Sequence, residues 1–544
     1  MTPAAVRTLA PEALGGTALS AATLARQPEA LAFYAHDWGD PAARAAAADA
    51  AAARPADRDA LASVLTEQNK LWGAGTDELR RIDVLRQPDA VAVVTGQQLG
   101  LFAGPLYSVY KALSAVRYAA QVEAETGRPT VAVFWLAGED HDFEEVQSTV
   151  FTEDGEVHRV RYDVPATGGP VGRMVLEAGA VADLLRQLDA ALPEGPHRHA
   201  VLAAAAAAYR PGVTMRDAFA RLLRQLAPGL ILMSVDDPRL KRLAAPVFAR
   251  EVAEWETTLA TLERVSGELE AAGFHAQVAP TPVNLFAFTD DGRRLPIDPE
   301  PEGGGFRLRG DRAVSADELA RWAREVPERL SPNVVLRPLV QDVLLPTVAY
   351  VAGPGESAYF AQLRPVYAQF GIAMPVIWPR LSLSVVEPGV AKVLDRYGLD
   401  LPNLAGGPEA LQALWRRLAL DASDTDLDAA FADARRRLDA LTDALADPVG
   451  ATSTTLDGAL GAARARMAKA LGRLEAKTVR VEKRNHDDVR ARLERAQAAL
   501  WPSGALQERA LSPLQLAARH GLGVFPPLVG SVALDPSAHH VVRL

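Results

Sequence analysis

Val91-Ala92-Val93-Val94-Thr95-Gly96 is a short apolar run closed by glycine. Thr130-Val131-Ala132-Val133-Phe134-Trp135-Leu136 repeats the pattern ahead of Gly138. An apolar run without polar alternation suits a strand covered on both faces, so each predicts a buried strand. Between them the spacing predicts a helix from Pro105 to about Glu123, because the fixed φ of proline suits a first helical turn. Strand, helix, strand is a βαβ unit, and it points to an α/β fold with a Rossmann-like parallel sheet. Residues 230–235, 347–351 and 374–378 read as further strands, and Asp236-Asp237-Pro238 reads as the start of a helix.

Working outward, residues 1–88 form an Ala-rich N-terminal helical region, with Ala42–Ala53 as its clearest helix. The Rossmann-like core is expected over 89–387, interrupted near 150–215 by mixed strands and helix and near 275–330 by a Gly/Pro-rich, β-like segment. Residues 388–500 read as helical. Met467, Leu474 and Val481 recur every seven positions, as do Val489 and Ala496, a coiled-coil or long-hairpin pattern with a polar break at Asn485-His486-Asp487-Asp488. Residues 461–500 hold 11 Lys/Arg and 5 Asp/Glu, which reads as a solvated face or as an anion site. The segment 501–544 is expected to pack back on the core.

The 544 residues carry a net charge of -10, which argues against a whole-surface nucleic-acid binder. The absence of cysteine removes disulfides, cysteine–zinc sites and thiol nucleophiles. With no secretory signal and no run of 18 apolar residues, a cytoplasmic chain without membrane contact is expected.

In an open parallel sheet, ligands bind beyond the carboxyl ends of the strands, so the loops there are the places to search. Thr95 to Pro105 holds Gly96, Gly100 and Gly104 ahead of a helix, which is either a plain turn or a backbone cradle for an anion; Gln97, Gln98 and Lys111 lie close by. Gly138-Glu139-Asp140-His141-Asp142 puts three carboxylates in four residues and calls for a cation if partly buried. Asp142 fits a helix cap, leaving Glu139, Asp140 and His141 as site candidates. Gly353-Pro354-Gly355 and the loop of Arg380, Ser382 and Ser384 follow the last strands.

These motifs resemble those of the bacillithiol biosynthesis cysteine ligases. The similarity is carried by Val93-Val94-Thr95-Gly96-Gln97-Gln98, by Gly104-Pro105-Leu106-Tyr107 through Lys111-Ala112, and by Phe134 through Phe143. Asp236-Asp237-Pro238, Gly353-Pro354-Gly355-Glu356 and Leu506-Gln507-Glu508-Arg509 extend it, in the family's order, along nearly the whole chain. The resemblance implies a class I synthetase-like core with connecting-peptide insertions, plus a coiled-coil domain through which two copies form a homodimer. It implies a ligase adding cysteine to glucosaminyl-malate, the last step of bacillithiol synthesis, with ATP/ADP and Mg²⁺. On that basis Gly96, Gln97, Gln98, Gly104, Lys111, Gly353, Gly355 and Arg380 are expected at the nucleotide. Glu139 and Asp140 are expected to hold a substrate ammonium, and His141 to accept the amine proton. No protein-bound metal is expected. Where a class I synthetase carries His-x-Gly-His, this chain has Gly104-Pro105-Leu106-Tyr107.

Two other classes stay open on the residues alone. One is a nucleotide-binding coiled-coil scaffold without turnover. The other is a metal-dependent phosphohydrolase using Asp140, His141 and Asp142.

Overall fold

A computed structural model describes residues 5–10, 16–300, 304–421 and 427–544. Its strands in chain order are β1 (Ala5–Leu9), β2 (Val91–Gln97), β3 (Thr130–Leu136), β4 (Ser148–Glu153), β5 (Glu156–Arg161), β6 (Ile231–Met233), β7 (Leu285–Phe288) and β8 (Arg294–Pro299). After these come β9 (Phe306–Leu308), β10 (Ala313–Val314), β11 (Leu330–Pro332), β12 (Thr347–Ala352), β13 (Val376–Pro379), β14 (Ser382–Val386) and β15 (His539–Arg543).

The central sheet runs β13-β12-β2-β3-β6, every pairing parallel. Counted from the β6 edge, its strands are third, second, first, fourth and fifth in the chain, which is the Rossmann order. Seven residue pairs hold β2 to β3, from Val91 opposite Thr130 to Gln97 opposite Leu136. The apolar residues of both strands are buried, which is why neither run alternates. The crossover helix Leu106–Thr126 ends on Gly127, whose φ of 68° is the left-handed conformation glycine adopts without cost. Strand order reverses between β2 and β12, and that reversal leaves a crevice at their carboxyl ends.

At the edge strand β6, Asn69 stands in for a missing strand. Its side chain accepts from Leu232 N at 3.0 Å and donates to Leu232 O at 2.8 Å. The helix Arg58–Leu71 that carries Asn69 thus packs against the sheet edge.

Two further segments interrupt the strands of this sheet along the chain. The later one is an antiparallel sheet ordered β10-β9-β8-β7-β11. The earlier one carries the β4–β5 hairpin and the helices Ala178–Ala191 and Arg198–Ala208. A third sheet, β1-β15-β14, ties the end of the chain to β14 in parallel register, Ser382 opposite His539.

The chain forms two compact units. One comprises Met1–Glu153, Val157–Pro388 and Ala505–Leu544; the other comprises Asp154–Glu156 and Gly389–Gly504. In the second unit the helices Leu427–Thr452 and Asp457–Leu500 form an antiparallel hairpin. Arg464 bridges to Asp439 at 2.6 Å and to Asp443 at 3.0 Å, and Arg435 pairs with Glu475. The second helix is continuous through 485–488, where the heptad pattern has its polar break; the side chains of 482–486 lie outside the described residues. Met467, Leu474 and Val481 are 39%, 55% and 51% exposed, a heptad stripe left uncovered by the hairpin itself.

Candidate functional site

Beyond the carboxyl ends of β2, β3, β12 and β13 lies a cleft of about 910 Å³. Ten of the residues singled out in the sequence line it: Gly96, Gln97, Gln98, Lys111, Glu139, Asp140, His141, Gly353, Gly355 and Arg380. Gly104 does not. A Cβ there would meet Thr149 Oγ1 at 3.0 Å and Leu101 O at 3.2 Å, so this glycine serves close packing. The start of the following helix is occupied too, because Leu106 N donates to Leu511 O at 2.8 Å. The anion contact expected at Gly104 and Pro105 is thus displaced by the C-terminal segment. Gly96 lines the cleft but also lets β2 approach β3, since a Cβ there would lie 2.9 Å from Trp135 Cβ.

Lys111 is buried, not solvated. It donates to Gly96 O at 2.5 Å and forms an ion pair with Glu356. Burial pushes the ammonium down to about 8 against the pull of Glu356. Glu356 also accepts from Tyr350 Oη at 2.6 Å and from Gly353 N at 2.7 Å, closing the turn at the helix Pro354–Phe360. Arg337 faces the same carboxylate, lies 5.3 Å from the Tyr350 ring centre and donates to Tyr359 Oη at 2.6 Å. Lys111 thus holds the ion pair, and Arg337 adds a second positive charge near the same carboxylate.

The acidic loop divides its labour. Asp142 caps the helix Phe143–Val146, accepting from Glu145 N at 3.3 Å, which takes it out of a His141–Asp142 metal dyad. Glu139 is buried in an ion pair with Lys241 and accepts from Ser331 Oγ at 3.1 Å, so its cation is internal and not a substrate ammonium. Burial lowers Lys241 even with Glu139 beside it. Asp140 keeps 36% side-chain exposure. Burial would raise its carboxyl, but Gln98 donating at 2.8 Å, the charge of Arg294, and the backbone N–H groups of Asp142 and His141 hold it below the usual range. His141 Nδ1 lies 3.3 Å from a nitrogen of Arg294.

Arg380 is anchored by Glu508 at 3.1 and 2.7 Å and lies 5.3 Å from the Tyr107 ring centre. Burial would raise Glu508, yet Arg380 holds it below the carboxylate range.

Five cationic side chains and four carboxylates line the cleft. The positive excess around Glu356 and the exposed guanidinium of Arg509 fit a phosphate-bearing ligand. Among the described residues no group of three or more His, Asp or Glu is placed to hold a metal ion.

Sequence reasoning missed Arg294, Arg337 and Lys241. Nothing local marks them, since each acts on a partner far away in the chain. Arg509 stood in a quoted motif without a role, and the matching stretch around Glu508 was the available signal.

The model of the bacillithiol biosynthesis BshC N-terminal Rossmann-like domain matches residues 8–381, and that of the C-terminal coiled-coil domain matches 383–544. The chain is similar to a protein of Salinibacter ruber named "putative cysteine ligase BshC", at 44% identity over 94% of this chain and 93% of the relative. A protein of the same name from Chlorobaculum tepidum is 35% identical over 91% of this chain and 90% of the relative. One from Solibacter usitatus is 34% identical over 97% of each.

Proposed function

The chain belongs to the bacillithiol biosynthesis BshC family, and from that premise we propose that it joins the carboxyl of cysteine to the amine of glucosaminyl-malate. The observation that carries the reading is the cleft at the strand-order reversal, where buried Lys111 is paired with Glu356 and the half-buried Arg337 adds a second positive charge beside them, leaving positive charge for an anion. ATP, bound with Mg²⁺, supplies the leaving group that makes a carboxyl reactive toward an amine.

Lys111, Arg337 and Arg509 hold the phosphates, with Gln97 and the Gly353–Gly355 turn beside them. Arg380 braces that wall through Glu508. Asp140, with Glu145 beside it, is left to receive a substrate ammonium, and Gln98 donates to both carboxylates. His141 adjoins Asp140 and offers one ring nitrogen to the same substrate. The stripe of Met467, Leu474 and Val481 pairs two copies into a homodimer. Among the described residues no helix is long and apolar enough to cross a membrane; the proposal places the enzyme in the cytoplasm, where cysteine and ATP are available.

The test is mass spectrometry of the protein given cysteine, glucosaminyl-malate and ATP–Mg²⁺, with ATP omitted in parallel. The expected result is the thiol conjugate only with ATP. No conjugate under either condition, with nucleotide still bound, overturns the ligase reading in favour of a scaffold.

A further inference from the structure

Arg294 opens β8 in the later insertion and reaches the loop after β3 with a side chain only 7% exposed. Its guanidinium is held on every side. Nε donates to Ser331 Oγ at 3.0 Å, Nη2 donates to Pro332 O at 3.0 Å, and the group lies 3.7 Å from the Phe286 ring centre. Ser331 passes the hydrogen bond on to Glu139, so the whole arrangement is braced by a second buried pair. The remaining nitrogen, Nη1, lies 3.3 Å from His141 Nδ1 and 3.9 Å from Asp140 Oδ1. The His141 ring also packs near Phe286, with ring centres 5.9 Å apart.

A guanidinium has five N–H groups and no lone pair to offer, and it stays protonated in proteins. At the Arg294–His141 contact the arginine can only donate, so Nδ1 must accept. A neutral imidazole has one donor and one acceptor nitrogen. With Nδ1 accepting, the proton sits on Nε2, the remaining polar atom of a side chain that is 41% exposed and lines the cleft. The alternative tautomer would set two N–H groups against each other.

We propose that Arg294 is a positioning residue that holds His141 in the Nε2–H tautomer, and that His141 meets substrate as a hydrogen-bond donor. The insertion thereby sets the chemistry of a loop on the Rossmann sheet. This rests on the ligase reading only for what Nε2 meets: an oxygen of the cysteine carboxyl, which gains negative charge as the amine adds to its carbon. The role differs from the proton acceptor expected from the sequence, because Nδ1 meets the Arg294 guanidinium at 3.3 Å, whereas the Asp140 carboxylate stands off at 3.7 Å, beyond hydrogen-bond reach.

The test reads the tautomer directly. Protein carrying ¹⁵N-histidine is studied by long-range ¹H–¹⁵N correlation at neutral pH, with the His141 signals assigned by their loss in His141→Gln. The expected pattern is a neutral ring protonated on Nε2, shifting toward a tautomer mixture in Arg294→Met. A ring protonated on Nδ1, or on both nitrogens, overturns the inference, as does a pattern unchanged in a folded Arg294→Met protein. If Arg294→Met does not fold, the wild-type spectrum still decides the tautomer.

A second arm tests the donor role. The Gln side chain offers an amide donor and no base, so His141→Gln is expected to keep kcat within about tenfold of wild type, while His141→Ala loses about a hundredfold or more. Equal loss in both variants overturns the donor role. The spectrum needs no substrate, so failure of the ligase reading and failure of this inference are separable.

Discussion

Arg380 and Glu508, 128 residues apart, form a two-pronged ion pair at 3.1 and 2.7 Å with side chains 5% and 2% exposed. Glu508 also accepts from Ser382 Oγ at 2.9 Å and Leu383 N at 2.9 Å, so one carboxylate knots the loop after β13 to the returning C-terminal segment. Buried pairs add little net stability over an apolar isostere, but breaking one strands a charge. Arg380→Met should therefore cost about 3–5 kcal/mol, read as a fall in the denaturant midpoint. Arg380→Met with Glu508→Leu should recover part of it. A loss under about 1 kcal/mol for the single variant would mean that the pair is solvated and does not tie the segment down.

Lys111 is held near 8 by burial. A bound phosphate favours the ammonium, so below pH 8 the site is ready and above it binding requires proton uptake. Affinity for ADP should then fall as pH rises from 8 to 9, by up to about tenfold per unit. Lys111→Met should bind more weakly at pH 7 and show no such slope. Calorimetric titration at pH 7, 8 and 9 checks both, and an equal slope in the variant would remove Lys111 from the anion site.

Glu139→Gln takes the only carboxylate in ion-pair contact with Lys241 among the described residues, leaving the amine with Leu330 O at 2.9 Å. Loss of about 3 kcal/mol is expected, visible as a lower melting temperature. Adding Lys241→Met should restore most of it, because the stranded charge is gone. A double variant as unstable as the single would trace the cost to Ser331 and the loop instead.

Leu474 is 55% exposed in the middle of the heptad stripe. If that stripe is the dimer seam, Leu474→Glu places like charges opposite each other and should convert the protein to monomers in sedimentation velocity, without loss of helical circular dichroism. A variant that stays dimeric would move the interface elsewhere.

The central strands were legible before folding because strands buried on both faces must be continuous apolar runs, as Val91–Val94 and Val131–Leu136 are. The cap at Asp142 was legible for a similar reason: it bonds Glu145 N, three residues on. The packing role of Gly104 was not legible because, besides the nearby Leu101 O, what crowds it is Thr149 and Pro513, which lie far along the chain. The helical texture of 388–500 was plain, whereas the point at which the chain rejoins the core depends on β15 finding β14.

Strands, caps and heptads therefore follow from patterns a few residues long, in which neighbours in the chain are neighbours in space. The order of the strands in the sheet does not, since it joins β2 to β12 across more than 200 residues. Nor does the assignment of charges. Lys111 chose Glu356, Lys241 chose Glu139 and Arg294 chose His141 only when folding brought them within about 4 Å in a poorly screened interior. That is why the composition of the site could be read from its loops, while the state of each group in it could not.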